Sequence, residues 1–128
     1  PVTMHRYDAP ADLFHMARIA ATLVEDCGPC ALVAAEGAVR DGVDSELVNA
    51  ALKAEPPEGD LKTAFIFGAA IARQSIEAFT IGDAIEEAYG RTVRLELAMT
   101  AATVRAYPAM KRGLGLSKAC SLTPLSVG

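Results

Sequence analysis

The 128-residue chain predicts a single all-α domain, and three observations carry that prediction. Apolar residues recur at helical spacing in one segment after another, and no stretch alternates convincingly with period two. Hydrophobic residues make up 52% of the chain but aromatics only 5%, much of the remainder being alanine, a composition that suits close-packed helices better than sheets. Turn-forming residues fall between the periodic segments, as in "EPPEGD". The length is enough for one apolar core without staples.

Asp8-Ala9-Pro10 reads as the start of a first helix, proline being tolerated in a first turn. From Leu13, apolar residues recur at Met16, Ala17, Ala20, Leu23 and Val24, and Cys27 extends this face. His15, Arg18, Thr22 and Glu25 form the opposite stripe, read as solvated. Gly28-Pro29 interrupts the helix and opens a second, which runs to about Asp41 and is closed by Gly42. Its core face is read as Ala31, Leu32, Ala35, Ala38 and Val39, while Cys30, Ala34 and Gly37 make a small-residue stripe that another helix or subunit could approach.

Asp44 caps a short third helix carrying Leu47, Val48, Ala51 and Leu52. Leu61 to about Phe79 reads as one amphipathic helix with Gly68 and Ile76 among its inward residues. "TIGD" at 80–83 resembles a capping box opening the next helix, which Tyr89-Gly90 ends. Thr92 opens a long helix, "TVRLELAMTAATVRAY", apolar nearly all round and therefore central or at a subunit interface. Pro108 kinks or ends it, and "RGLGL" leads into a tail containing Cys120.

A net charge of −4 argues against a nucleic-acid partner, which demands a basic face; only Lys111–Arg112 pairs two cations. The longest uncharged apolar stretch, Ala64 to Ala72, is far below the roughly 20 residues that span a bilayer. No secretory leader is read, so the expectation is a cytoplasmic protein with no membrane partner. In a reducing compartment, a close cysteine pair points to catalysis or metal binding rather than to a structural framework.

That pair sits in "VEDCGPC", residues 24–30. Two cysteines three apart at a helix start are close enough to form a disulfide, and the helix N-terminus favours thiolate over thiol. Glu25 and Asp26 oppose this unless one of them accepts a proton. Two core cysteines are a further reading, and a zinc site using Cys27, Cys30 and Cys120 a third, although zinc normally takes four ligands. A thioredoxin fold is excluded: a helix, not a strand, feeds the motif, and the chain has no tryptophan.

A helix, then CxxC, then an alanine-rich helix ending "EGAVRDGVDSELVNAAL" resembles the carboxymuconolactone decarboxylase family, in its alkylhydroperoxidase D-like branch. The likeness is best from about Ala11 to Leu52, and "YPAMKRGLGLSKAC" is similar to the tail of uncharacterised members. The resemblance implies an all-α fold that assembles as a homo-oligomer, commonly a trimer or hexamer. It implies that Cys30 attacks a hydroperoxide and Cys27 resolves the sulfenic acid, with no bound cofactor.

Two positions depart from the pattern. The histidine expected four residues after the second cysteine is Ala34, and the acidic relay position, twelve residues before the first cysteine, is His15. A substitute relay would draw on His15, Glu25 or Glu36. The leading reading is a thiol-dependent peroxidase or disulfide reductase, acting on a small hydroperoxide or a partner disulfide and re-reduced by an external thiol. The alternative is a non-enzymatic oligomeric binding or scaffold protein that has lost the relay. Lactone decarboxylation fits less well, because it relies on grouped polar residues that this chain lacks.

Overall fold

The computed structural model describes residues 6–116 and 126–127. Within them the chain is all-α, with seven helices and no strand. They are α1 (Ala11–Val24), α2 (Gly28–Arg40), α3 (Ser45–Leu52), α4 (Asp60–Ala72), α5 (Glu77–Tyr89), α6 (Arg91–Thr103) and α7 (Ala106–Gly113).

The central helix is α1. It packs most extensively on α4 and also touches α2, α3 and α6. Every residue from Leu13 to Thr22 is buried, and Phe14, Met16 and Ile19 supply the bulk of the core there. This corrects the stripe read as solvated: His15, Arg18 and Thr22 lie under α2 rather than in water. The same contact rotates the core face of α2. Ala31, Ala34, Ala35, Gly37 and Ala38 are buried, whereas Val39 is exposed and Leu32 half-buried. The small-residue stripe thus meets a helix of its own chain, and the space it saves holds the polar side chains of α1.

On the other side, α4 crosses α1 at Gly68. A Cβ at Gly68 would lie 2.1 Å from the Ala17 carbonyl oxygen, so backbone meets backbone with no side chain between.

Two long segments break where the sequence reading has them continuous. Leu61 to Phe79 splits after Ala72: Gln74 turns the chain at φ 58°, and Ser75 Oγ accepts from the Glu77 amide at 3.2 Å to start α5. "TIGD" therefore lies inside α5, where Gly82 makes room for the Arg94 guanidinium of α6. Ile76, read as inward, is exposed. The helix read as 92–107 ends at Thr103, and Pro108 is buried in the first turn of α7. A proline clashes with the carbonyl four residues earlier, here that of Val104, which forces the bend upstream of the ring. On α6, Val93, Leu97 and Ala101 are buried while Leu95 and Met99 face outward.

Elsewhere the reading holds. Asp44 caps α3, its carboxylate accepting from the Glu46 amide at 2.8 Å, and Gly42 leaves α2 at φ 92°. The chain entering α1 is fixed by Glu96 of α6, which is buried and accepts from the amides of Tyr7, Asp8 and Ala9. No described helix is long and apolar enough to cross a membrane.

Candidate functional site

Helix α1 stops at Val24, and Asp26 reverses the chain at φ 55°, a left-handed conformation that aspartate tolerates better than most residues. Cys27 follows in extended conformation as the N-cap of α2, and Pro29 sits in its first turn. Cys27 and Cys30 are joined by a disulfide, with Cα atoms 5.2 Å apart. Cys27 is buried at 3% exposure; Cys30 is half-buried and lines a cleft.

The turn carrying the sulfurs is clamped from one side. The Glu25 side chain, 6% exposed, receives Arg105 Nε at 2.5 Å and Arg112 Nη2 at 2.8 Å. Arg112 also donates to the Glu25 carbonyl at 3.3 Å. Burial works to raise the Glu25 pKa, but hydrogen bonds and charge from the two arginines outweigh it and hold the carboxyl below its ordinary range. A carboxylate so engaged is a weak base, so Glu25 positions the turn instead of accepting a proton there. From α7, Lys111 brings Nζ to 3.9 Å from Cys27 Sγ.

His15 lies nine residues before the end of α1, about 14 Å of rise from Val24 and the turn that carries the sulfurs. Its Nε2 donates to Asp41 at 2.9 Å, and Asp41 also takes both Nε and Nη2 of Arg6 at 3.0 Å. The imidazole is thus engaged at the C-terminal end of α2, and it does not line the cleft at Cys30. Glu36 is exposed on α2. Cys120 lies outside the described residues, and within them no three His, Cys, Asp or Glu residues gather as a metal site.

Burial, the larger influence on His15, pushes its pKa below the ordinary value despite the bond to Asp41. The unfolded chain therefore binds a proton that the folded imidazole resists, and stability falls as pH drops through about 6.5. The unfolding midpoint should be lower at about pH 5.5 than at about 7.5, and that difference should shrink in His15→Gln. A wild-type midpoint that does not change across this window contradicts the assignment.

The cleft has a volume of about 540 Å³. Arg18 and Thr22 of α1 are its most buried charged and polar members. Pro29, Cys30, Val33 and Ala34 form the α2 wall. Opposite them lie Thr103, Val104, Ala106, Tyr107 and Lys111, at the bend between α6 and α7. Sequence reasoning missed Arg18, Lys111, Arg105 and Arg112. Lys111–Arg112 did stand out as the one cation pair, and its two members divide between the Cys27 sulfur and Glu25. No signal in the local pattern of α1 marks Arg18 as buried.

No known family model, curated protein or solved structure matches this chain.

Proposed function

We propose that this chain is a thiol–disulfide redox protein that reduces a hydroperoxide or a partner disulfide through Cys27 and Cys30. The observation that carries the reading is the asymmetry of the pair: one sulfur opens to a cleft, and the other is buried beside a lysine.

With a hydroperoxide, the Cys30 thiolate attacks the O–O bond. An alkoxide leaves and takes up a proton as the alcohol, and Cys30 becomes a sulfenic acid. The Cys27 thiol then displaces water from that sulfenic acid, closing the disulfide. An external thiol reopens it by attacking the accessible Cys30 sulfur, and Cys27 leaves as a thiolate. A second thiol releases the donor as its own disulfide. Lys111 supports the reopening step, since a cation near the departing sulfur favours the thiolate and speeds its departure. The half-buried Cys30 and the buried Cys27 agree with the roles that the resemblance to the alkylhydroperoxidase D-like branch implies. A cytoplasmic location belongs to the same reading. So does association of copies of the chain, which the exposed Ile76, Phe79, Leu95 and Met99 support.

Steady-state peroxide consumption with a dithiol donor tests the cycle. Cys30→Ser should lose essentially all turnover, while pre-reduced Cys27→Ser, freed of the thiol donor, should consume about one equivalent of peroxide per chain and stop at the sulfenic acid. Equal rates in wild type and Cys30→Ser end the proposal.

A second reading, a non-enzymatic oligomeric scaffold, is favoured by one observation. Neither His15 nor Glu25 is placed to move a proton at sulfur. It expects no peroxide turnover and no rapidly alkylated thiol in the reduced protein at neutral pH.

A further inference from the structure

Arg18 is a buried cation without an anion. It lies two turns into α1 with 6% exposure, and among the described residues no carboxylate pairs with it. Its Nη1 donates to the Ala34 carbonyl at 3.1 Å; its Nε has no hydrogen-bond partner. The charged neighbour it feels is another cation, Arg40. Burying a guanidinium this way is among the costlier arrangements in a protein interior, and a bound anion offsets that cost.

The cleft reaches Arg18, and its lining holds a second cation, Lys111, and no acidic residue. Nη1 is engaged by Ala34 and Nε is enclosed by protein, so Nη2 is the guanidinium nitrogen left for a ligand, and its N–H groups can donate charge-assisted hydrogen bonds to a carboxylate. Val33, Val104 and Tyr107 make the rest of the lining largely apolar. Ala34 is one helical turn beyond Cys30, about 6 Å of rise. An acid held at Arg18 therefore brings its first carbons level with that sulfur.

We propose that the cleft is a binding site for an aliphatic monocarboxylate, its head group on Arg18 and its chain running past Cys30 between Val33 and Tyr107. The binding stands by itself. Its extension to catalysis rests on the redox reading, and makes the substrate a hydroperoxide that carries a carboxylate.

Calorimetric titration of the disulfide form with octanoate, 1-octanol and octylammonium tests the site. Octanoate should bind about ten- to a hundredfold more tightly than the alcohol, the range for a charge-assisted hydrogen bond, and the ammonium should not bind. Arg18→Met should lower octanoate to the level of octanol. Because Arg18 is buried, Val33→Trp provides a second variant at an exposed position, where the indole fills the cleft and should abolish octanoate binding. Equal affinity for acid and alcohol in wild type overturns the proposal, as does octanoate binding that survives Val33→Trp. The titration contains no peroxide and no thiol. Failed turnover therefore leaves the binding result intact, and failed binding leaves the cysteine chemistry intact.

Discussion

Gly68→Ala is expected to destabilise the protein by about 3 kcal/mol or more, the upper part of the range for overpacking. The added methyl carbon would sit 2.1 Å from the Ala17 carbonyl oxygen and 2.7 Å from that residue's carbonyl carbon and Cα. These are backbone atoms at the middle of the central helix, so no rotamer change relieves the contact. The α1–α4 crossing has to widen, and every buried side chain of α1 shares the displacement. Gly113→Ala is the matched control: it lies in α7 with nothing within 4 Å of the new carbon, and replacing a helical glycine there should stabilise by about 0.5–1 kcal/mol. Urea midpoints for the two variants should move in opposite directions. A Gly68→Ala protein as stable as wild type would show that the two helices do not cross this closely.

Glu25→Gln should have the next largest effect, a loss of about 1–3 kcal/mol. The carboxylate is nearly fully buried, but Arg105 and Arg112 keep 31% and 49% of their side chains exposed. Once unpaired they turn to water, so the cost falls short of that for a fully enclosed pair. Because the folded pKa of Glu25 is depressed, its contribution is complete above the unfolded value, about 4.5, and disappears as pH falls through the folded one. The gap between wild type and variant should therefore close in acid. A double-mutant cycle with Arg105→Ala should be strongly non-additive, since both changes break one network. Additive losses would mean that the clamp is not a unit. The variant should also turn over peroxide more slowly than wild type if the proposed cycle operates, because Glu25 joins the end of α1 to the wall of the cleft.

Much of this architecture could be read directly from residue order. The alanine-rich periods, the Asp44 cap, the Gly42 exit and the Gly28-Pro29 restart each have a local chemical cause, and the helices lie there. What escaped has a physical reason too. The break at Gln74 uses a left-handed conformation at a residue other than glycine, so no punctuation announces it. The bend before Pro108 is displaced upstream by ring sterics. For the site, the cysteine pair was visible because its spacing is local. Its surroundings were not: Lys111, Arg105 and Arg112 arrive from about 80 residues away. A polar stripe on a helix is ordinarily solvated, and only the close approach of α2, made of alanine and glycine, puts His15 and Arg18 inside.

The sulfur–sulfur link spans only four residues, and linking positions that close restricts a disordered chain by about 2 kcal/mol at most. The girders of this molecule are the α1–α4 crossing and, elsewhere, the carboxylates of Asp41 and Glu96, none of which touches the disulfide. Opening the link should therefore leave the scaffold standing, with a melting curve close to that of the oxidised protein. The disulfide itself carries little of the fold's stability, so breaking it need not dismantle the frame that holds it.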